Sequence, residues 1–117
     1  MFEEEFTIIL KQSIKYNQLE RYFAATQGEV ENAATHYDLY PDMERIIEDR
    51  DSPGGIKLSH AQRRMLMVLV ALWEGDEADR VFGEGIGSIP TMIHAMDRQN
   101  RELLADLILT YPGWGRI

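Results

Sequence analysis

The chain has 117 residues, of which 44% are hydrophobic and 27% charged, which is typical of a soluble globular domain and excludes collagen-like and wholly disordered chains. It contains no cysteine, which excludes disulfide frameworks, thiolate zinc sites and cysteine nucleophiles. Twenty acidic residues outnumber twelve lysines and arginines, and the net charge of −8 opposes attraction to nucleic acid or to an anionic membrane.

The amino terminus and the apolar runs predict a cytoplasmic protein. The first residues, Met-Phe-Glu-Glu-Glu, are acidic where a secretion or mitochondrial leader is basic. The longest unbroken apolar run, Met65 to Trp73, has nine residues, whereas a membrane-spanning helix needs about 20. We therefore expect no membrane segment.

The predicted elements begin with an amphipathic helix over Glu3 to Ala25. Apolar residues recur along it every seven positions: Phe2, Ile9, Tyr16 and Phe23. Because this spacing approximates two turns of an α-helix, it predicts one buried face. Gly28 is predicted to end the helix in the left-handed conformation.

Two shorter helices are expected next. Apolar residues at helical spacing indicate the second: Val30, Ala33, Ala34 and Tyr37. Pro41 suits the first position of the third. The inner face of this third helix is predicted to carry Met43, Ile46 and Ile47. Residues 51–55, Asp-Ser-Pro-Gly-Gly, then form the clearest loop of the chain.

The second half of the chain starts with the most apolar helix. Ser59 and Gln62 form a capping-box pattern in front of the apolar run 65–73, which we expect to be central and buried. Asp76 is predicted to cap a short helix that follows. Residues 83–87, Gly-Glu-Gly-Ile-Gly, are interpreted as a hinge, since a phosphate-binding loop needs a lysine and a preceding strand.

The last two predicted helices start at Pro90 and after the capping residue Asp97. The inner face of the last helix is predicted to carry Leu103, Leu104, Leu107, Ile108 and Tyr111. Trp114 is expected to fold back on the body. Together these elements predict an all-α fold, a compact bundle of six or seven short helices with one central apolar helix. Residues 1–117 are expected to form a single domain that could subdivide only at the loop 51–57.

Acidic residues are concentrated in two segments. Residues 28–51 carry eight carboxylates against two arginines, a local net charge of −6, and residues 74–84 carry five against one. Two interpretations are open. The charge keeps a small protein solvated, or it binds a basic partner, such as a protein that normally holds nucleic acid.

A pattern of small and apolar residues runs through residues 24–47: Gly28, Val30, Ala33 and Ala34, followed by Leu39 and Ile46. It resembles the helix-turn-helix of the factor-for-inversion-stimulation type. The resemblance implies two closely crossing helices and DNA binding. Residues 41–50, in the place of the recognition helix, carry four carboxylates against two arginines, a charge that phosphates repel.

The loop 51–56, Asp-Ser-Pro-Gly-Gly-Ile, follows a run of acids and the tyrosines at 37 and 40. It is similar to the loop of small acidic immunity proteins that neutralise nuclease bacteriocins. Those proteins are helical and bind the toxin through carboxylates and tyrosines. The resemblance implies an acidic helical protein that occupies a basic protein surface.

The sequence predicts no enzyme, no metal site and no cofactor. His36, His60 and His94 have no second ligand at helical spacing, so we interpret them as exposed or interfacial. The serines lie outside the context of a nucleophile elbow. Neighbouring carboxylates are expected on any chain with a net charge of −8 and do not by themselves indicate acid–base catalysis.

The leading hypothesis is a non-enzymatic, acidic, helical protein-binding module. Its most concrete form is an inhibitor of a nucleic-acid-handling machine, of the anti-CRISPR, anti-restriction or immunity type. The expected partner is a protein with a basic surface rather than nucleic acid or a membrane, and the oligomeric state is left open. The residues assigned to the interface are Tyr37, Asp38, Tyr40, Asp42, Glu44, Glu48, Asp49 and Asp51.

Two alternatives are left open. A helix-turn-helix DNA-binding regulator would contact phosphates through arginines: Arg45, Arg50, Arg63 and Arg64. A structural subunit of a larger assembly would use the apolar helix 65–73 partly as an interface.

Overall fold

The computed structural model describes residues 2–23, 27–83 and 87–114, and within these ranges it is all-α, with seven α-helices and no strand. The helices are α1 (Phe2–Tyr16), α2 (Gln27–Asn32), α3 (Met43–Asp51), α4 (His60–Trp73), α5 (Gly75–Phe82), α6 (Ile89–His94) and α7 (Arg98–Thr110). None of them combines the length and the apolar character needed to span a bilayer. The Cα radius of gyration is 13.3 Å, as expected for a compact domain of about 100 residues. The predicted fold class is confirmed.

The first helix is shorter than the sequence predicted. It ends at Tyr16, and Gln18 then adopts a left-handed φ of +57°. The Leu19 amide donates to the Ile14 carbonyl at 2.9 Å, and the Gln18 amide donates to the Lys15 carbonyl at 3.1 Å. These two bonds form a Schellman ending, which turns the chain away from the helix axis.

The apolar pattern beyond α1 belongs to a turn, which explains why the helix prediction was wrong there. Leu19, Tyr22 and Phe23 are buried, but they lie in and around the 3-10 turn Glu20–Tyr22. The buried apolar side chains of α1 itself are Phe6, Leu10 and Ile14. Of the apolar residues predicted at every seventh position, Phe23 is buried and Ile9 packs against the core, but Phe2 and Tyr16 are exposed, so the predicted buried face is only partly correct.

The predicted second helix is split in two. Gly28, expected to end the first helix, lies inside α2. α2 ends at Asn32, and a separate 3-10 turn, His36–Asp38, follows after a short extended segment. The spacing of small apolar residues did not reveal this break.

The third helix begins two residues later than predicted. Asp42 occupies the N-cap of α3, where its side chain accepts a hydrogen bond from the Arg45 amide at 3.1 Å. Pro41 therefore precedes the helix and is buried. Ile46 is fully buried, as expected for the inner face.

The central helix α4 is confirmed. Ser59 and Gln62 form both bonds of the capping box, at 2.9 and 3.2 Å. The six consecutive residues Met65–Val70 are all buried, so α4 is surrounded by the rest of the chain. Gln62 Nε2 also donates to the Asn17 carbonyl at 3.0 Å, which ties the start of α4 to the end of α1.

The short helix α5 ends at Phe82 as predicted, but it starts differently. Glu74 occupies its N-cap position, and Asp76 lies within the first turn. Gly83 ends the helix with a φ of +69°, a conformation that favours glycine. The predicted hinge continues into residues 84–86, which lie outside the described residues.

The last two helices begin with side-chain caps. Ser88 Oγ accepts from the Thr91 amide at 3.2 Å, with Pro90 in the first turn of α6. Asp97 accepts from the Asn100 amide at 2.9 Å, so the predicted cap of α7 is confirmed.

α1 and α7 form an antiparallel pair. The amides of Asn17 and Asn100 exchange hydrogen bonds of 2.8 and 2.9 Å in a buried position. Nearby, the Tyr16 hydroxyl donates to Asp97 at 2.6 Å. These contacts join the end of α1 to the start of α7, on opposite sides of the loop that was the candidate point of subdivision.

The inner face of α7 is narrower than predicted. Leu103, Leu104 and Leu107 are buried, but Ile108 is 64% exposed and Tyr111 is also exposed. Ile108 follows Leu107 by about 100° around the helix, which takes it beyond the stripe that faces α1. Its assignment to the core was wrong.

Trp114 folds back on the body, as predicted, and is buried. Its ring stacks on Phe23, with centroids 6.3 Å apart, and meets Phe6 edge-on at 5.9 Å. Its Nε1 donates to the His36 carbonyl at 2.8 Å. The tryptophan thereby holds the segment after α7 against α1 and the 3-10 turn His36–Asp38.

Candidate protein-binding surface

An open groove lies between α2, the segment after it and the start of α3. Four of the eight residues predicted to bind a partner line it: Asp38, Tyr40, Asp42 and Glu44. Glu29 of α2 also lines it, and Arg45 is the one basic side chain among its described lining residues. We call this feature the acidic groove.

Aromatic rings accompany the carboxylates of the acidic groove. Tyr40 is 60% exposed, whereas Phe23 is buried and Trp73 is half-buried. The sequence did not reveal the contribution of Trp73, since it belongs to the predicted central helix and lies far along the chain from Tyr40. Trp73 is the last residue of α4, where the buried part of the helix ends. This position is the signal that could have indicated a surface role for Trp73.

The other four predicted residues lie outside the groove lining. Tyr37 is 57% exposed and packs beside the His36 ring, with centroids 4.2 Å apart. Glu48, Asp49 and Asp51 lie on α3 beyond the groove. The eight residues therefore form a groove and a flanking surface rather than one site.

Two carboxylates of the acidic groove also hold the local backbone. Asp42 caps α3, and its Oδ2 lies 3.9 Å from Arg45 Nε. Asp38 Oδ2 accepts a hydrogen bond from the Thr35 amide at 3.3 Å, at the start of the 3-10 turn. Both carboxylates thus have a structural role besides any role in binding.

Asp49 is engaged in a structural cluster. Arg21 donates to its two oxygens from Nε at 2.7 Å and from Nη2 at 2.8 Å, and the Tyr22 hydroxyl donates at 2.6 Å. The hydrogen bonds from Arg21, and then that from Tyr22, lower the pKa of Asp49 to about 2. Burial, followed by the hydrogen bond to Asp49, raises the pKa of Tyr22 to about 12. Asp49 therefore fastens α3 to the 3-10 turn Glu20–Tyr22.

Asp51 is paired as well. Arg50 donates to it from Nε at 2.9 Å and from Nη2 at 3.2 Å, which lowers the pKa of Asp51. Arg50 Nη1 also donates to the Val81 carbonyl at 2.8 Å, so the arginine links α3 to α5. Much of the charge of Asp51 is compensated by its neighbour.

Glu44 and Glu48 differ from these paired acids. Both are exposed on α3. Within the ranges that the structure describes, no hydrogen bond or ion pair engages either of them. They are the carboxylates of this surface whose charge remains fully directed to solvent or to a partner.

The arginines that a DNA-binding regulator would use have contacts within the chain. Arg45 pairs with Asp42, and Arg50 pairs with Asp51. The Arg63 guanidinium lies over the Phe82 ring, 5.4 Å from its centroid. Arg64 Nη1 lies 3.9 Å from Met67 Sδ. The other alternative, an assembly interface on α4, has little surface available, because the chain's own core covers most of this helix.

The histidines do not share one environment. His60 and His94 are exposed, as expected. His36 is fully buried, so its assignment to the surface was wrong. Thr7 Oγ1 accepts from the His36 amide at 3.1 Å and lies 3.3 Å from Nδ1, whereas Nε2 has no hydrogen-bond partner among the described residues. Among the described residues, no three histidine, aspartate or glutamate side chains are grouped as metal ligands.

No protein-family model, curated protein or solved structure matches this chain.

Proposed function

We propose that this chain is a non-enzymatic cytoplasmic module that binds a protein with a basic surface and inhibits a nucleic-acid-handling machine. The acidic groove and the adjoining face of α3 are the proposed interface. The carboxylates of this surface would pair with the partner's lysines and arginines and so occupy the place that phosphates take in the partner's normal complex. Anti-CRISPR, anti-restriction and immunity proteins are the classes of inhibitor that this describes.

The observation that carries the proposal is the position of Tyr40 between carboxylates in an open groove. Tyrosine is enriched among interface hot spots, where its ring fills a pocket and its hydroxyl finds a hydrogen-bond partner. Arginine side chains stack on aromatic faces and pair with carboxylates. Tyr40 beside Asp42 and Glu44 offers both contacts within one groove.

The charge of the flanking face supports the same partner chemistry. Glu44 and Glu48 lie on one helix, exposed and without compensation among the described residues. Complementary charge speeds encounter and selects partners more than it adds affinity. The similarity of the loop 51–56 to immunity proteins points in the same direction.

The first experiment separates this proposal from DNA binding. A gel shift with a random-sequence duplex pool at low salt detects even weak binding to phosphates. We expect no shift. A shift would favour the helix-turn-helix regulator and contradict the proposal.

The second experiment tests the surface itself. Affinity capture from host extract would compare the natural chain with the double variant Glu44→Lys, Glu48→Lys. Asp42 is left intact because it caps α3, and its loss would confuse binding with folding. We expect a captured nucleic-acid-handling protein whose activity the natural chain inhibits and the double variant does not.

A matched control carries the same change in charge elsewhere. Asp76→Lys with Asp79→Lys reverses two exposed carboxylates on α5, neither of which has a side-chain hydrogen bond or ion pair among the described residues. This control should retain inhibition if the α3 face is the interface. Equal loss in both variants would mean that overall charge, and not this surface, governs binding, and that result would overturn the assignment.

A further inference from the structure

A second groove, of different chemistry, lies between α1 and α7. Its lining residues are Phe2, Glu5, Ile8 and Ile9 of α1, with Asp106, Leu109 and Thr110 of α7. We call it the apolar groove. It lies where the start of α1 meets the end of α7, far in sequence from the acidic groove.

Three of the four apolar side chains of this groove are largely exposed, and the fourth, Ile9, packs against the core. Phe2 is 56% exposed, Ile8 is 55% exposed and Leu109 is 71% exposed. The contact between the two helices is already filled by buried neighbours, such as Leu10 and Leu107. Single exposed apolar residues are common, but exposed residues gathered along two packed helices mark an interaction site.

The two charged residues among the described lining residues of the apolar groove are both acidic. Glu5 and Asp106 line it, and no basic residue is among its described lining residues. α7 ends here with no basic residue in its last turn, so that turn itself supplies no side chain that compensates the negative end of the helix dipole. Lys11, the first lysine of α1, is directed elsewhere and donates to the carbonyls of Glu31 and Ala33.

We propose that the apolar groove binds an amphipathic helix of another protein, one whose apolar stripe is flanked by lysine or arginine. Phe2, Ile8 and Leu109 place three exposed apolar side chains along a groove between two antiparallel helices. Such a groove can bind the apolar face of an amphipathic helix. Basic flanks would meet Glu5, Asp106 and the carbonyl end of α7. This charge pattern disfavours a second copy of the chain, since a symmetric dimer would bring acidic rims together.

The test uses three labelled peptides of 15 residues, the length of α1. The first has leucines at i, i+3, i+4 and i+7 with lysine and arginine flanks. The second has the same composition in scrambled order, and the third has glutamate flanks. Fluorescence anisotropy with the full chain at moderate salt should show the first binding at least about tenfold more tightly than the other two, which is about 1.4 kcal/mol.

The scrambled peptide is the essential control, because any basic peptide is attracted to a chain with a net charge of −8. Equal affinity for the basic and scrambled peptides would show attraction without a groove. Equal affinity for the glutamate-flanked peptide would contradict the charge argument. No saturable binding of the first peptide at millimolar concentration would overturn the proposal outright.

Variants of the chain locate the binding. Leu109→Glu and Ile8→Glu should each reduce affinity for the basic peptide about tenfold or more. Ile89→Glu, which changes an equally exposed isoleucine on α6, should not. Far-ultraviolet circular dichroism checks that each variant folds. If Ile89→Glu weakens binding as much as Leu109→Glu, the site lies elsewhere.

Two further measurements separate this inference from its rivals. Light scattering across a concentration series gives the oligomeric state, and a dimer that Leu109→Glu dissociates would overturn the proposal in favour of self-association. The double variant Glu44→Lys, Glu48→Lys should bind the peptide within about twofold of the natural chain, since these changes lie outside the apolar groove. The apolar groove is thus tested independently of the acidic groove.

Discussion

The acidic groove and the apolar groove differ in how far their residues also stabilise the fold. In the acidic groove, the Asp42 carboxylate caps α3 and the Asp38 carboxylate accepts a backbone hydrogen bond at the start of a 3-10 turn. Two of the charged residues of this groove therefore also stabilise the local backbone. In the apolar groove, Phe2 and Leu109 remain largely exposed while their helices bury other residues. Changes at Asp38 or Asp42 affect folding and surface together, whereas changes at Phe2 or Leu109 affect mainly the surface.

This difference shows how far residue type indicates availability for binding. Eight carboxylates in residues 28–51 indicate a strongly charged surface, yet Asp49 and Asp51 are paired with arginines. From the sequence, Ile108 is expected on the buried face of α7, yet it is exposed. The partner that a side chain finds within the chain decides what remains for another molecule.

The largest expected effect is a loss of stability on replacing a buried apolar residue, compared with an exposed one, after or within α7. Trp114→Ala removes a buried ring that contacts Phe6 and Phe23 and leaves the His36 carbonyl without its indole donor. We expect a loss of about 3–5 kcal/mol in the free energy of unfolding, measured by urea denaturation. Leu109→Ala, in the apolar groove, should cost no more than about 0.5 kcal/mol. Similar losses in both variants would break the comparison.

A smaller effect tests the division between structural and available carboxylates. Asp49→Asn removes a charge that accepts three hydrogen bonds, and it should cost about 1–3 kcal/mol. The matched change Glu48→Gln, on the adjacent exposed residue, should stay within about 0.5 kcal/mol. Urea denaturation at neutral pH measures both.

The pH dependence of stability distinguishes the same two variants. Because the pKa of Asp49 is lowered to about 2 from an ordinary 3.8, its stabilisation is complete above about pH 4 and is lost as the pH falls towards 2. The pKa of Tyr22 is raised from 10.0 to about 12, so its contribution is lost as the pH rises through that range. Asp49→Asn should remove the acid-side change and only reduce the alkaline one, because burial, the larger cause of the raised pKa of Tyr22, remains. Glu48→Gln should preserve both. Unchanged curves in Asp49→Asn would mean that the cluster does not form.

The smallest effect concerns two neighbouring acids of the acidic groove. Asp42→Ala removes the cap of α3 and should cost about 1 kcal/mol, whereas Glu44→Ala should cost little. Thermal denaturation followed by circular dichroism provides the measurement. Both changes should weaken partner binding if the groove is the interface. An equal effect of the two on stability would remove the distinction between capping and available carboxylates.

The candidate site was only partly predictable. Tyr40 and Glu44 were assigned to the interface from the sequence, and both line the acidic groove. Trp73 was missed because no sequence spacing connects it to α3. Asp49 was assigned to the interface, but Arg21, 28 residues earlier in the chain, engages its carboxylate. Charge counted along a segment could not include a partner that only folding brings near.

The sequence by itself determined the all-α fold, the central helix α4, the caps of α4 and α7 and the return of Trp114. Apart from the return of Trp114, these features depend on local chemistry, because a cap is completed within three residues and an apolar stripe is visible within a few turns. Only the tertiary structure decided where α1 ends, how wide the buried face of α7 is, which residues Trp114 contacts and which carboxylates remain unpaired. Those outcomes depend on contacts between distant segments, such as Asn17 with Asn100 and Arg21 with Asp49.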